Sequence, residues 1–244
     1  MTRAIPSGRG TLTLLTATTL LLTGCFGGPS VQRTYYSLQV PIDVPEAPRR
    51  FDVRIVVRPF DVAVAYRRQE LVYRTNPYQF SFYNYRLWAA RPDKLLTSVT
   101  TTYLRRSGQF ESVSEDVGDL LPTYELTGEI VALEELDSTE KAWFGRLAMR
   151  IVLRTFEDRR TVWEHTFDRK ERVIERDPMF VVKVINQILF EELAVAQHSL
   201  DAALLAKAHQ VVERRTPAAP GGKPGQPTTK PDPPKERPRA RRIR

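Results

Sequence analysis

Residues 146–154 alternate between charged and apolar side chains, and this pattern constrains the fold more than any other stretch. Leu147, Met149, Ile151 and Leu153 fall on one side, opposite Arg146, Arg150 and Arg154. A period of two residues is that of a β-strand with one buried face and one face in water. The chain therefore contains a sheet whose apolar face is covered by other elements.

Neighbouring segments extend this sheet. Residues 124–132 and 161–173 show strand patterns on either side of it, and a turn at Glu157 to Arg160 joins the last two strands. These three segments predict an antiparallel meander. Earlier strands are predicted at residues 35–38, 52–58, 66–74 and 79–88.

Two helices are predicted by a period of 3.6 residues. The first opens at Pro92 and ends before Gly108. The second opens at Asp177-Pro178, and its apolar stripe weakens after Ala196. We expect the first half of this long helix to pack on the sheet. The second half either projects or pairs with another subunit, so a homo-oligomer is one option.

The order of these elements predicts the fold class. Strands followed by a helix, then more strands and a final helix are typical of an α+β domain. We expect a single domain over residues 33–213, with a mainly antiparallel sheet and two helices, the C-terminal one long.

The first 24 residues have the pattern of a secretory signal peptide. Arg3 and Arg9 precede an apolar run from Leu12 to Leu22, which is shorter than the ~20 residues that span a bilayer. The run ends in Leu22-Thr23-Gly24-Cys25, which resembles the bacterial lipobox. This predicts cleavage between Gly24 and Cys25, with residues 25–32 as a lipidated linker. An ordinary buried cysteine is the alternative.

Cys25 is also the only cysteine of the chain, so an internal disulfide cannot form. We expect a covalent diacylglycerol or acyl lipid on Cys25 to hold the protein at a membrane, and no other cofactor. Stable anchoring needs two or more acyl chains, which a lipobox lipoprotein carries.

The formal charge of +8 is unevenly distributed along the chain. Residues 214–244 carry ten basic and two acidic side chains, and between Cys25 and Glu213 there are 25 basic and 27 acidic ones. A nucleic-acid-binding domain carries its basic footprint on the fold itself, so we expect no nucleic acid partner. The Pro-rich tail, residues 214–244, is predicted to be disordered. It is either simply solvated or in contact with an anionic envelope polymer.

The sequence offers little for catalysis. His165, His198 and His209 lack metal-ligand spacing, and no nucleophile elbow or phosphate-binding glycine loop is present. The adjacent pairs Glu134-Glu135 and Glu191-Glu192 point apart within their elements and are interpreted as solvated. We therefore predict no catalytic residue, no metal site and no enzymatic activity.

Aromatic residues are concentrated in the first half of the fold. All nine tyrosines lie between Tyr35 and Tyr124, with arginines interleaved. They form either the core of the sheet or an interface, because tyrosine, tryptophan and arginine are enriched at binding hot spots. The candidate interface residues are Arg68, Arg74, Phe82, Tyr85 and Trp88.

Several short motifs follow one another in a characteristic order. After Cys25 come Tyr35-Tyr36-Ser37-Leu38, a valine-rich strand ending at Pro59, and Arg68-Gln69-Glu70-Leu71-Val72-Tyr73-Arg74; Phe82, Tyr85 and Trp88-Ala89 then precede Pro92 and Leu95-Leu96. Over roughly residues 25–200 the chain resembles the ABC-type transport auxiliary lipoprotein family. The basic tail departs from that pattern.

The resemblance implies a non-catalytic partner in an envelope lipid-transport system. Its partners would be an inner-membrane ABC transporter and MCE-domain proteins, and it would dock their bridge at the outer membrane. Phe26 follows the cysteine instead of the aspartate that retains many lipoproteins at the inner membrane, which favours the outer membrane. Two alternatives stay open: a general envelope assembly or scaffold lipoprotein, and a peptidoglycan-associated tether.

Overall fold

The structure, a computed structural model, describes residues 31–139 and 142–215. The predicted signal peptide, Cys25 with most of its linker, and the tail from Thr216 lie outside the described residues. The chain divides into two compact units, one ending at Leu204 and the other beginning at Leu205. The described part of the second unit is the end of the last helix.

The described residues form nine strands and two long helices. The strands are β1 (Thr34–Tyr36), β2 (Phe51–Val57), β3 (Asp61–Val62), β4 (Glu70–Asn76), β5 (Gln79–Trp88), β6 (Phe110–Ser114), β7 (Tyr124–Thr139), β8 (Ala142–Thr155) and β9 (Thr161–Arg172). The helices are α1 (Pro92–Arg106) and α2 (Pro178–Arg215), with a short 3-10 helix at Val64–Tyr66.

Strands β7, β8 and β9 form the predicted antiparallel meander. Leu133 pairs with Leu147 across β7 and β8, and Ile151 pairs with His165 across β8 and β9. The alternating residues of β8 explain the arrangement, because the side chains of Leu147, Met149 and Leu153 are fully buried on one face. The meander prediction is confirmed.

The other edge of β7 takes three parallel strands one after another. β2 pairs with β7 at Tyr124, β3 pairs at Glu129 and Ile130, and β4 pairs at Glu135 and Leu136. β6 then pairs with β2, β5 with β4, and β1 with β5. The predicted α+β domain with a long C-terminal helix is confirmed. Its curled sheet is mixed: the β4–β5, β7–β8 and β8–β9 pairs are antiparallel, and the other strand pairs are parallel.

Helix α2 covers the apolar face of β8 and β9. Ile185, Ile188 and Leu189 are fully buried. His165 and Arg169 of β9 both bond to Glu192 of the helix. The indole of Trp163 donates a hydrogen bond to Ser199 Oγ at 3.0 Å. Helix α1 meets α2 at Tyr103, whose hydroxyl donates to Gln197 Oε1 at 3.1 Å. The helices therefore close the core over one side of the sheet.

The start of α2 and the end of α1 follow the predicted signals. The backbone N–H of Met179 donates to Asp177 Oδ1 at 2.7 Å, which caps α2. Gly108 has φ +65° just after the end of α1, a conformation that glycine adopts without strain.

One predicted strand was too long, and one strand was missed. The strand predicted over residues 66–74 begins only at Glu70, because Val64–Tyr66 form a 3-10 helix. Strand β6 was not predicted, because its five residues carry too short a pattern to stand out after α1.

Gly128 of β7 lies against the ring of Phe60, and a Cβ atom there would be 2.7 Å from the ring carbons. We expect Gly128→Ala to lower the free energy of unfolding by roughly 1–3 kcal/mol, because Phe60 is itself buried and cannot move freely. Denaturant unfolding followed by circular dichroism measures the change. Gly118→Ala is the control, since a Cβ there meets nothing within 4 Å, and an equal loss in both variants would contradict this account.

Candidate functional site

Strands β4 and β5 form a hairpin that stacks arginines on phenylalanines. The guanidinium of Arg68 lies 3.7 Å from the ring centroid of Phe82, and that of Arg74 lies 4.6 Å from the centroid of Phe80. The antiparallel pairing of Val72 with Phe82 brings these sequence-distant residues together. Such cation–π contacts hold a partly exposed arginine in place.

The outer part of the hairpin exposes aromatic side chains. Tyr78 at the tip is 95% exposed, and Tyr85 is 45% exposed. Tyr35 on the neighbouring strand β1 is also exposed. Trp88 differs from the other predicted interface residues because it is only 2% exposed and packs in the core. It is therefore not available to a partner.

Glu134 lies under the hairpin on one face of β7. Its side chain is fully buried, its Oε2 accepts a hydrogen bond from the Tyr66 hydroxyl at 2.6 Å, and its Oε1 accepts one from Arg146 Nη1 at 2.8 Å. Arg74 Nη1 lies 3.5 Å from the same Oε1. Arg146 also makes two bonds to Asp168, which together with Glu134 raise the pKa of its guanidinium.

Glu135 points to the opposite face of β7, toward α2. Its two oxygens each lie 3.1 Å from the Tyr83 hydroxyl, which donates to them. Burial, and to a lesser extent the charge of Asp137, raise the pKa of the Glu135 carboxyl to about 7, although the Tyr83 bond and the charges of Arg86 and Arg176 lower it.

The interpretation of Glu134-Glu135 as solvated was therefore wrong. The two side chains do point apart, but each finds a buried position with a tyrosine hydroxyl. The signal that would have revealed Glu134 is its register with Arg146 across the β7–β8 pair. That register becomes visible only once the two strands are aligned.

A basic cavity of about 500 Å³ opens beside the hairpin tip. Its lining residues are Arg74, Thr75, Asn76, Pro77, Leu136, Arg146 and Lys170. Three of them are cations and none is a carboxylate. This lining suits an anionic group and contains no nucleophile paired with a base.

The histidines lie apart from this cavity. His165 Nε2 is 2.9 Å from Glu192 Oε2, and His198 Nδ1 is 3.3 Å from the carbonyl oxygen of Ala194. Within residues 31–139 and 142–215, no group of three or more His, Cys, Asp or Glu side chains could hold a metal ion. In the same ranges no helix combines the length and apolarity needed to cross a membrane.

A curled mixed sheet, covered by two helices and carrying an arginine-aromatic hairpin, defines an α+β domain. Comparisons with known proteins identify the family to which this domain belongs. Residues 36–196 match the ABC-type transport auxiliary lipoprotein component family, and the chain belongs to that family. This family is one of transport auxiliary lipoproteins and not an enzyme class. A comparison with curated proteins found no match.

Solved structures share the fold. A Xanthomonas campestris protein of the family DUF330 is 17% identical with a TM-score of 0.59, and the match covers 74% of this chain and 99% of that one. A second, uncharacterized protein is also 17% identical with a TM-score of 0.54, over 70% of this chain and 99% of the other. At this identity the likeness extends to the fold alone.

Replacing Glu134 tests the buried ion pairs. We expect Glu134→Gln to lower the free energy of unfolding by roughly 3 kcal/mol, because Arg74 and Arg146 lose the buried charge between them. Urea unfolding measures the loss. Glu164→Gln is the matched control: it removes a carboxylate bonded to Arg150 on the exposed face, and we expect a much smaller loss. Equal losses would show that Glu134 has no special role.

Glu135 predicts a pH dependence of stability. Its pKa is raised in the folded state from 4.5 to about 7, so the folded protein binds more protons than the unfolded chain between those values. The contribution of Glu135 to stability is therefore full below pH 4.5 and is lost as the pH rises to about 7, with a slope of at most ~1.4 kcal/mol per pH unit. Unfolding free energies measured across this range should fall more steeply for the wild-type protein than for Glu135→Gln. Parallel curves would contradict the assignment.

Proposed function

We propose that this protein is the auxiliary lipoprotein of an MCE-type ABC lipid-transport system. A lipid on Cys25 anchors it to the outer membrane on the periplasmic side, where it docks the bridge formed by MCE-domain proteins. The observation that carries the proposal is the family match over residues 36–196, together with the lipobox that precedes it. Its task is binding, with the ABC transporter supplying the energy of transport.

The anchor is supported by the sequence before the fold. Leu22-Thr23-Gly24-Cys25 provides the modification site, and Phe26 at the next position favours the outer membrane. A lipid-anchored domain needs no spanning segment of its own. The acyl lipid is the only covalent group that the proposal requires.

The docking surface that we propose lies along the hairpin and its neighbouring strand. Tyr35 pairs with Leu87, two residues from Tyr85, so the two exposed tyrosines are diagonal neighbours on adjacent strands. Arg68, stacked on Phe82, adds a fixed cation to the same hairpin. Tyrosine and arginine held in place are the residues that contribute most to protein interfaces.

This surface is suited to contact with a folded partner. Leu87 and Trp88, which follow Tyr85 on β5, are buried in the core, so the strand that carries Tyr85 is supported by the core. A supported side chain loses little conformational freedom when a partner binds, and this keeps the entropic cost of docking low. Protein contact therefore accounts for exposed aromatic residues on an otherwise well-packed sheet.

Crosslinking in intact cells tests this proposal. Purification of the lipidated protein after mild crosslinking should recover an MCE-domain protein. The double variant Tyr35→Ala/Tyr85→Ala should recover severalfold less, because the interface loses two aromatic contacts. Mass spectrometry of the crosslinked material measures the recovery.

Val117→Ala is the matched control for this experiment. Val117 is exposed to a similar degree as Tyr85 but lies outside the hairpin, in the segment between β6 and β7. Its recovery of the MCE-domain protein should equal that of the wild-type protein. Recovery of only barrel-assembly factors or wall fragments by the wild-type protein would contradict the transport role.

A further inference from the structure

The direction of β1 shows where the lipid tether approaches the fold. β1 runs parallel to β5, and β5 runs away from the hairpin tip at Pro77-Tyr78. The chain before Thr34 therefore leads back toward that tip. Cys25 lies nine residues before Thr34 in the sequence, so we assign a lipid anchor at Cys25 to the tip end of the domain.

The length of the tether agrees with this direction. Thr34 pairs with Arg86, level with the start of β4 at Glu70 and Leu71. From there to the tip is about 20 Å at ~3.3 Å per residue, whereas the nine residues from Cys25 to Thr34 span at most ~32 Å. To approach the opposite end of the sheet, before Tyr124, the same residues would have to reverse direction and cover about 33 Å.

Exposed apolar side chains are present at the tip end. Tyr78 is 95% exposed, and Ile174 is 92% exposed. Ile174 follows Val173, whose backbone N–H donates to the carbonyl oxygen of Trp143 at the start of β8. Leu120 and Leu121 are also exposed, at the opposite end of β7. Apolar exposure alone thus does not distinguish the two ends, but the direction in which the chain enters β1 does. Tyrosines at such positions are typical of membrane interfaces.

The basic cavity opens at this same end. Arg74, Arg146 and Lys170 line it, while Glu134 and Asp168 neutralise only two of the three charges. Lys170 Nζ lies 5.8 Å from the Phe144 ring centroid, and it makes no ion pair with any residue that the structure describes. Arg74 Nε is buried without a hydrogen-bond partner. The cavity therefore has an excess positive charge.

We propose that the tip end of the domain lies against the membrane that holds the Cys25 lipid, and that the cavity receives the phosphate of an anionic phospholipid headgroup. Tyr78 and Ile174 then contact the interfacial layer, and Lys170 and Arg74 bind the headgroup. Basic pockets at a membrane surface bind anionic headgroups in this manner. This inference rests on the lipid anchor of the proposed function and not on its MCE partner.

Fluorescent labels in vesicles test the orientation. Because the lipid occupies Cys25, the full lipidated chain carrying Tyr78→Cys or Leu120→Cys offers one free thiol for a dye. Each chain is reconstituted in phosphatidylcholine vesicles with and without phosphatidylglycerol, and with spin-labelled lipid as quencher. We expect severalfold stronger quenching at position 78 than at position 120, and more quenching at 78 when phosphatidylglycerol is present. Equal quenching, or stronger quenching at 120, overturns the orientation.

Neutralising Lys170 tests the cavity. In the Tyr78→Cys chain, Lys170→Gln should abolish most of the extra quenching that phosphatidylglycerol produces. Lys183→Gln is the matched control, because Lys183 also contacts a phenylalanine ring, that of Phe180, but is exposed on α2 outside the cavity. It should leave the response unchanged. An unchanged response in Lys170→Gln, or an equal loss in both variants, overturns the headgroup site.

Inorganic phosphate distinguishes a headgroup from a free anion. At constant ionic strength, exchanging chloride for phosphate should leave the phosphatidylglycerol response intact; loss of the response would mean that the cavity takes free phosphate, which overturns the proposal. The mass of the N-terminal peptide is measured in parallel. A chain without lipid would contradict the proposed function and this inference together, whereas a lipidated chain with equal quenching contradicts the inference alone.

Discussion

Strand β7 is hydrogen-bonded along both edges, and every other strand joins the sheet through it. It pairs with β8 on one edge and with β2, β3 and β4 in turn on the other; β6, β5, β1 and β9 attach to these. A strand so enclosed can carry charge only where a partner meets it. Glu125 is held by Arg58 and Arg159, Glu134 by Arg146 and Tyr66, and Glu135 by Tyr83. These carboxylates tie β7 to its neighbours and fix the position of the β4–β5 hairpin.

The fixed hairpin relates the fold to its function. One side of it exposes Tyr35 and Tyr85 on the β1–β5 pair, and we propose that these rings contact a protein partner. Its tip and the adjacent basic cavity lie at the end that we propose to face the membrane. In the proposed function, one hairpin thus serves two tasks: contact with the transport bridge along its strands and contact with the membrane at its tip. Both are binding tasks, in agreement with a transport auxiliary lipoprotein family.

Periodicity in the sequence predicted individual strands and helices, but it did not predict which distant strands pair or in which register. The alternation of residues 146–154 and the helical stripe after Pro178 gave the meander and the long helix, since each pattern lies within one element. The parallel pairing of β2, β3 and β4 with β7 joins residues more than 60 positions apart, and no local pattern records it. Glu134 looked solvated for the same reason, because its arginine partner is on another strand. The aromatic cluster was identified, but periodicity alone did not separate buried Trp88 from exposed Tyr85.

Hydrogen exchange on the lipidated protein in vesicles, with and without the purified periplasmic MCE-domain assembly, tests the account most directly. Backbone amides exchange more slowly where a partner covers or stabilises them. If the hairpin surface docks the transport bridge, the assembly will increase protection in β1 and β5 and leave the segment between β6 and β7 unchanged. An assembly that protects no segment, or protects only α2, would contradict the role assigned to the hairpin.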